Sequence, residues 1–291
     1  MEYKRLNNGL EMPKLGYGVY QTPPDQTERC VMDALDVGYR LIDTAQAYDN
    51  EAQVGSAIDK SGIDRSDVFV TSKVWVSNMS YERAKASIEE SAKKLGGYID
   101  LMLLHQAMGD YPGAYHAMEE AYDQGMLKAI GLSNFYPARL VDVCALARIT
   151  PAVNQIETHP FIQERKAHEN MEALGVAHEA WAPFAEGQHD VFNNPVLAGI
   201  GKRYGKTPAQ VILRALMQQD IIVIPKSVHK ERMVENFDVF DFVLDDGDMA
   251  EFASLNDPSE PRLFDHHDTN LVSWMLNDMV RQDQLKGEPL Y

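Results

Sequence analysis

Four side chains of types that transfer protons follow the first three predicted strands of this sequence. Asp43 ends the first strand, Lys73 the second and His105 the third, while Tyr48 lies in the loop after the first. Aspartate, lysine, histidine and tyrosine all serve as general acids or bases in enzymes. Each alone has an ordinary structural explanation, such as a helix cap, a solvated lysine or a hydrogen-bonded core histidine. Their placement at three consecutive strand ends together indicates an active site.

The elements that position these residues alternate between short β-rich runs and longer segments with helical apolar spacing. Continuous apolar runs such as IIVIP are typical of parallel strands covered on both faces. Eight strands are predicted, the last with the least distinct pattern: 39–44, 68–73, 100–105, 128–133, 152–156, 176–181, 221–225 and 239–244.

Turn and capping residues delimit the intervening helices. Thr207-Pro208-Ala209-Gln210 predicts a capping box with proline at the first helical position, and Ser80 is placed to cap another helix. Glycines that take the left-handed conformation past a last helical turn are predicted at five helix ends: Gly38, Gly62, Gly96, Gly125 and Gly175.

Eight consecutive βα units favour a closed (β/α)8 TIM barrel, an α/β fold, as a single domain over residues 1–291. An N-terminal β-hairpin with an Asn-Asn-Gly turn is predicted at 3–12, and the tail from about 258 is predicted as a loop with a helix around 271–277. The alternative is an open doubly wound sheet, which is weakened because no GxGxxG follows the first strand.

Composition excludes several classes of partner. The chain has 291 residues, 45% hydrophobic and 24% charged, with a formal net charge of −17, which disfavours binding to nucleic acid or anionic membranes. The N-terminus lacks a secretory apolar region, so we expect a cytoplasmic protein with Cys30 and Cys144 as reduced thiols. Adjacent His266 and His267 lack an evident third ligand, so no metal is expected.

Seven motifs in order resemble those of the aldo-keto reductase family. LIDTAQAYDNE, TSKVW and LMLLHQ resemble its catalytic tetrad motifs, and GLSNF, VNQIE, EAWAPFAEG and IPKSVHKERMVEN resemble its cofactor motifs. The resemblance runs from about Leu6 to the DHHD segment. The HQ dipeptide and the tryptophan of EAWAPF are similar to the bacterial branch of small aldehyde and diketo-acid reductases rather than to the mammalian steroid enzymes.

The resemblance implies a carbonyl reductase that uses NADPH. Hydride addition places negative charge on the carbonyl oxygen, which must be stabilised and protonated. Tyr48 is implied as the acid, with Lys73 lowering its pKa and Asp43 holding Lys73 charged and oriented. His105 is implied to donate a second hydrogen bond to that oxygen.

The cofactor residues are implied by the same motifs. Lys226, Ser227 and Arg232 match the positions that hold the adenosine 2′-phosphate, and Arg suits phosphate through paired charge-assisted hydrogen bonds. Three further positions lie near the adenine or contribute a backbone contact: Val228, Glu235 and Asn236. Four match the nicotinamide site, where the tryptophan stacks on the ring: Ser133, Asn134, Gln155 and Trp181. Without the motifs, a charge-rich helix start and ordinary aromatic packing would explain these residues.

The substrate pocket is less defined by the sequence. The family positions that wall it correspond to Tyr20, Trp75 and Gln106, together with His105, although core packing explains aromatic residues there equally well. Four residues depart from the family pattern: Ala107, Ala182, Phe184 and Ala215. Ala107 and Ala182 leave substrate preference and cofactor affinity open, while a core exchange with local repacking explains Ala215.

Two other functions remain as alternatives. The barrel could bind NADPH as a sensor or structural protein with little turnover, or it could be an aldolase that uses Lys73 as a Schiff base, which would leave the NADPH motifs unexplained. The expected partner is a small-molecule carbonyl substrate, with neither nucleic acid nor membrane involved, and the expected state is a monomer.

Overall fold

Eight short parallel strands form one continuous sheet in the computed structural model, which describes residues 1–279. Each strand is hydrogen-bonded to the next in chain order from β3 to β10. Their bounds are β3 Tyr17–Gly18, β4 Leu41–Asp43, β5 Phe69–Val74, β6 Leu101–Leu104, β7 Ile130–Ser133, β8 Val153–Glu157, β9 Ala177–Trp181 and β10 Ile222–Val223. All their residues are buried except Trp181, which is partly buried, as expected for parallel strands covered on both faces.

Backbone hydrogen bonds close this sheet into a barrel. Gly16 N–H donates to Val223 O and Val223 N–H donates to Lys14 O, both at 2.8 Å, and Gly18 N–H donates to Pro225 O at 3.2 Å. The first strand therefore pairs with the last, and the predicted (β/α)8 barrel is confirmed.

The prediction of a strand at 239–244 is wrong. This segment contains no strand, and the remaining barrel strand is β3, which precedes the first predicted one. Val239, Phe242 and Leu244 are buried among intervening exposed or partly buried residues. Their apolar side chains pack into the core beneath the helices, while the Leu244 N–H bonds the Gln218 side chain at 2.8 Å instead of a strand.

An N-terminal hairpin covers the bottom of the barrel, as predicted. Strand β1, Tyr3–Arg5, pairs antiparallel with β2, Glu11–Pro13. Leu6 and Met12 are buried in one cluster with residues that begin the barrel strands, such as Leu41 and Leu101. The N-terminal ends of the strands are thus closed to solvent by packing.

Eleven α-helices lie in the described part of the chain. Their bounds are α1 Pro24–Val37, α2 Glu51–Ser61, α3 Tyr81–Lys94, α4 Tyr111–Asp123, α5 Pro137–Leu146, α6 Arg165–Ala173, α7 Pro195–Tyr204, α8 Pro208–Gln218, α9 Lys230–Phe237, α10 Asp246–Ala253 and α11 Thr269–Trp274. None of the helices in residues 1–279 has the length and apolarity needed to cross a membrane.

The predicted capping box of α8 is confirmed, whereas Ser80 does not cap α3 through its side chain. The capping box of α8 is present, since Gln210 N–H donates to Thr207 Oγ1 at 3.3 Å and Thr207 N–H donates to Gln210 Oε1 at 2.9 Å. Ser80 occupies the N-cap of α3, but its side chain makes no capping hydrogen bond. Gly38 ends α1 at φ +123°, a conformation that a side chain would strain, and its N–H bonds Ala34 O at 3.2 Å.

The tail returns across the top of the barrel and contains the predicted helix as α11, followed by a π-helical turn at Met275–Met279. Its Met275 is buried with Val76 and Met108, and Phe264 and Trp75 pack against them. The tail therefore covers part of the barrel mouth. Residues 280–291, which the single-domain prediction includes, lie outside the described residues.

Candidate active site

The four predicted catalytic residues converge at the mouth of the barrel, where the C-terminal ends of the parallel strands meet. Asp43 is the last residue of β4, Lys73 lies near the end of β5, and His105 directly follows β6. Tyr48 ends a 3-10 turn over Gln46–Tyr48 that immediately follows β4. Strand order alone brings these sequence-distant residues to one place, because successive parallel strands present their carboxyl ends at the same rim.

Asp43 and Lys73 form a fully buried ion pair. Lys73 Nζ lies 2.6 Å from Asp43 Oδ1 and also donates to Thr44 O at 3.0 Å. The Lys73 side chain is 0% exposed. Burial alone would lower the pKa of Lys73, but the Asp43 carboxylate raises that pKa above its ordinary value. The ammonium is thus held charged, which argues against a Schiff-base role that needs a free amine.

Tyr48 lies beside this ion pair, with its ring packed on Tyr20. Lys73 Nζ is 5.1 Å from the centroid of the Tyr48 ring, and the Tyr20 ring centroid is 5.0 Å away. Burial among protein atoms raises the pKa of Tyr48 to about 12, although the Lys73 ammonium acts to lower it. Lys73 acts to lower the pKa of Tyr48, as predicted. The net shift of that pKa is nevertheless upward, because desolvation of the phenolate outweighs the effect of Lys73.

His105 faces Tyr48 as a neutral imidazole. Its ring centroid is 5.6 Å from that of Tyr48 and 4.9 Å from that of Trp75. Burial, and then the charge of Lys73, lower the pKa of His105 well below its ordinary value. Its Nδ1 is buried and has no hydrogen-bond partner among residues 1–279. A neutral ring with a free nitrogen has capacity to bond a ligand.

The residues predicted to hold the nicotinamide form one hydrogen-bond chain that ends on Asp43. Trp181 Nε1 donates to Asn134 Oδ1 at 2.9 Å, and Asn134 Nδ2 donates to Ser133 Oγ at 3.1 Å. Ser133 Oγ donates to Gln155 O at 3.1 Å, and Gln155 Nε2 donates to Asp43 Oδ2 at 2.9 Å. These residues therefore lie next to the catalytic candidates.

The residues predicted to hold the adenosine phosphate line one cavity of about 460 Å³. It is lined by Phe184, Phe192, Ala209, Lys226, Ser227, Val228, His229, Arg232, Glu235 and Asn236. Within residues 1–279, neither Lys226 nor Arg232 forms an ion pair with a carboxylate, and Lys226 Nζ makes a long 3.4 Å hydrogen bond to Gln21 O. Two cations that face one cavity and form no ion pair there fit a phosphate group.

The loop after β9 connects the two parts of the candidate cofactor site. Ala182, Ala185 and Glu186 adopt φ angles of +50°, +50° and +51°, and Gly187 adopts +80°. Left-handed conformations cost energy for residues with a side chain, and such strained residues cluster at functional sites. The predicted role of the Ala-Glu-Gly turn, backbone contacts to a pyrophosphate, stays a prediction.

Three predicted substrate residues lie near Tyr48, since Tyr20 and His105 pack against its ring and Trp75 packs against His105. Tyr20 is about half exposed, at 52%, while Gln106 is buried beneath the tail. His266 Nε2 lies 2.6 Å from Gln106 Oε1, and the His266 ring packs on Phe264 with centroids 4.5 Å apart. The neighbouring His267 instead contacts Asp265 at 3.3 Å, so the two histidines point to different partners.

The tail is fixed near this space by contacts that the sequence did not reveal. Arg262 forms an ion pair with Glu164 and lies 4.4 Å from the centre of the Tyr136 ring. Leu263 N–H donates to Glu157 Oε1 at 2.9 Å. Glu157 ends a barrel strand, so the tail is attached directly to the barrel rim.

Two further residues at the site were missed by sequence reasoning. Gln46 lies inside the LIDTAQAYDNE motif, and its Oε1 accepts hydrogen bonds from Trp75 N–H at 3.0 Å and Asn78 Nδ2 at 2.9 Å. Glu179 lies in β9, buried near Asp43 and Lys73. Its position two residues before Trp181, on the same face of the strand, was the available signal.

Comparison with known proteins gives one consistent result. The Aldo/keto reductase family matches residues 8–257. An aldo-keto reductase of Mycobacterium sp. (strain JLS) is 43% identical over 267 residues, 89% of this chain and 96% of that protein. Methylglyoxal reductase DkgA of Escherichia coli (strain K12) is 40% identical over 256 residues, covering 87% and 92% respectively.

A solved structure agrees with the fold. The crystal structure of MGS-M4, an aldo-keto reductase enzyme from a Medee basin deep-sea metagenome library, superposes with a TM-score of 0.88. It is 40% identical to this chain, and the match covers 92% of this chain and 99% of that one.

Proposed function

The chain belongs to the aldo-keto reductase family, and from that premise we propose that it reduces an aldehyde or ketone to the alcohol by direct hydride transfer from NADPH. The observation that carries the proposal is the convergence of Tyr48 and His105 on the buried Asp43–Lys73 ion pair. All four lie at the barrel rim, where Gln155 bonds Asp43 and Asn134 bonds the His105 carbonyl oxygen.

The chemistry of this site follows from where charge develops. NADPH, when bound, supplies the hydride that adds to the carbonyl carbon. The carbonyl oxygen then takes the Tyr48 hydroxyl proton, so the alcohol forms and the phenolate remains. The Lys73 ammonium, fixed by Asp43, stabilises that phenolate, and neutral His105 donates a hydrogen bond to the same oxygen.

The raised pKa of Tyr48 affects the two directions of the reaction differently. With the pKa raised to about 12, the phenol stays protonated throughout the physiological pH range, so the acid needed for reduction is always present. The reverse reaction, alcohol oxidation, needs the phenolate and is expected to require alkaline conditions.

Selection of NADPH rests on the cavity beside α9. Lys226, Ser227 and Arg232 would hold the adenosine 2′-phosphate, with Val228, Glu235 and Asn236 near the adenosine. Ser133, Asn134 and Gln155 would hold the nicotinamide carboxamide, and Trp181 would stack on the ring. On an acidic protein, a local pair of unpaired cations supports binding of a phosphorylated cofactor.

The proposed substrates are small carbonyl compounds. Tyr20, Trp75, His105 and Gln106 would form the pocket wall, and the tail narrows the entrance through His266 and Phe264. The relative DkgA is named a methylglyoxal reductase, which supports including 2-oxoaldehydes among the candidates. The proposal also includes a single domain over residues 1–291, a monomeric state, a cytoplasmic location and the absence of a metal.

The test is to follow NADPH absorbance with the purified protein and a panel of small aldehydes, 2-oxoaldehydes and diketones, with NADPH alone as the control. The expected result is oxidation of NADPH with at least one class of carbonyl. Tight NADPH binding with no oxidation across the panel would instead identify a cofactor-binding sensor with little turnover.

A further inference from the structure

Glu179 is a buried carboxyl group without a hydrogen-bond donor. It lies in the middle of β9, between Ala177 and Trp181 on the same face of the strand, and is 0% exposed. Both of its carboxyl oxygens lack a hydrogen-bond partner among residues 1–279. An ionised carboxylate in this position would lose its hydration without gaining a direct hydrogen bond, which is strongly unfavourable.

The groups around Glu179 offset its desolvation only in part. The groups that influence it are the Asp43 carboxylate on β4, the Lys73 ammonium on β5 and the Gln155 amide on β8. Lys73 already bonds Asp43 at 2.6 Å, and Gln155 Nε2 donates to Asp43 at 2.9 Å. One cation therefore faces two carboxyl groups, and its hydrogen bonds go to Asp43 and Thr44 rather than to Glu179.

We propose that Glu179 holds a proton at neutral pH and acts as a positioning residue for Lys73. In its neutral form it leaves the ammonium to be shared by Asp43 and Tyr48. Loss of this proton would add a second negative charge beside Lys73 and weaken the stabilisation that Lys73 gives to the Tyr48 phenolate. Only this last step rests on the proposed function, since the protonation state is a property of the folded chain.

The electrostatics agree with this geometry. Burial, and then the charge of Asp43, raise the pKa of Glu179 above its ordinary value, against the opposing effects of Gln155 and Lys73. When Glu179 is ionised, its charge in turn acts to raise the pKa of Lys73. Glu179 therefore acts on the Tyr48 phenol through Lys73, without direct contact with the reacting atoms.

The first test measures the proton by infrared spectroscopy of the full chain without cofactor. A neutral carboxylic acid has a carbonyl stretch distinct from that of a carboxylate. We expect this band near neutral pH in the wild type, its loss as pH rises, and its absence in Glu179→Gln. The matched control is Glu119→Gln, which alters another buried glutamate, one whose Oε1 instead accepts the Ile149 N–H at 2.8 Å, and should retain the band.

The second test measures alcohol oxidation as a function of pH, because this direction depends on the phenolate. In the wild type, log kcat should rise more slowly over the pH range in which the infrared band disappears. Glu179→Gln should remove this flattening and give about tenfold or higher kcat above that range, the scale expected for one unit charge within roughly 10 Å at an effective dielectric of about 20. A purely structural effect would lower kcat without changing the shape of the profile.

Three outcomes would overturn the inference. Absence of the band in the wild type, or its persistence in Glu179→Gln, would show that Glu179 is ionised or that another group holds the proton. A band with the expected behaviour but an unaltered pH profile would refute the positioning role. If no alcohol or carbonyl is turned over, the proposed function fails, while the infrared result still decides the protonation state.

Discussion

Gln155 Nε2 donates a 2.9 Å hydrogen bond to Asp43 Oδ2, and Asp43 Oδ1 receives the 2.6 Å bond from Lys73. The Asp43 carboxylate thus links Gln155, a candidate nicotinamide residue, to Lys73, which lies beside the candidate acid Tyr48. The candidate cofactor site and the candidate proton-transfer site therefore share one hydrogen-bond network.

Removing the Gln155 amide should weaken this network. Gln155→Met leaves one Asp43 oxygen without its donor, and a hydrogen bond to a charged group contributes about 1.5–3 kcal/mol. We expect kcat for carbonyl reduction to fall about 10- to 100-fold. Steady-state kinetics with NADPH measures this effect.

The control for Gln155 is its neighbour Asn154, which is buried on the opposite face and donates to Phe135 O at 2.8 Å. Asn154→Leu should lower the melting temperature but leave kcat of the folded enzyme nearly unchanged. Equal losses of kcat in both variants would show that the Gln155–Asp43 bond has no specific role.

Arg232 should determine the choice between the two nicotinamide cofactors. Arg232→Ala removes a guanidinium from the cavity beside α9, and loss of a charge-assisted hydrogen bond to phosphate should raise KM for NADPH about 10- to 100-fold. KM for NADH should stay nearly constant because NADH lacks the 2′-phosphate. Lys202→Ala, which alters an exposed cation on α7, is the control for general charge effects. Equal kcat/KM for NADPH and NADH in the wild type would contradict the assignment.

Stability should decrease when the pH falls below about 6.5, the ordinary pKa of histidine. Burial holds the pKa of His178 well below that value, and His178 Nε2 lies 2.8 Å from Thr158 Oγ1 while its Nδ1 lies 3.1 Å from His168 Nδ1. Below pH 6.5 the unfolded chain binds a proton that the folded chain does not, so protonation favours unfolding.

Melting temperature measured between pH 8 and pH 5 tests this effect. The wild type should lose stability more steeply from pH 7 to pH 5 than His178→Gln, because glutamine at position 178 does not titrate. His116→Gln, an exposed histidine on α4, is the matched control and should follow the wild-type curve. Parallel curves for the wild type and His178→Gln would refute the role of His178.

Much of the site could be predicted because parallel strands end at one rim. Asp43, Lys73 and His105 needed only the strand positions, and the motifs supplied Tyr48. The remaining barrel strand, β3, could not be predicted because its two residues carry almost no pattern. The apolar segment with Val239, Phe242 and Leu244 resembles a strand in sequence but forms none. The pKa direction of Tyr48 depends on desolvation, which follows from packing and is invisible in sequence.

The contacts of the tail and the burial of Glu179 could not be predicted from the sequence either. The 2.6 Å contact between His266 and Gln106 joins residues 160 positions apart, and no periodicity relates them. From the sequence alone, Glu179 is predicted to be an ordinary charged residue in a strand. Its spacing from Trp181 predicts only the strand face, whereas its burial and unbonded oxygens distinguish it from a solvated glutamate.

The most direct test of the central claim is single-turnover reduction by Tyr48→Phe with saturating NADPH. Removal of the hydroxyl proton donor should slow hydride transfer about 10²- to 10⁴-fold while NADPH affinity, measured by fluorescence titration, stays within about twofold. A variant that binds NADPH normally and reduces carbonyls at a rate near that of the wild type would contradict the assignment of Tyr48 as the acid.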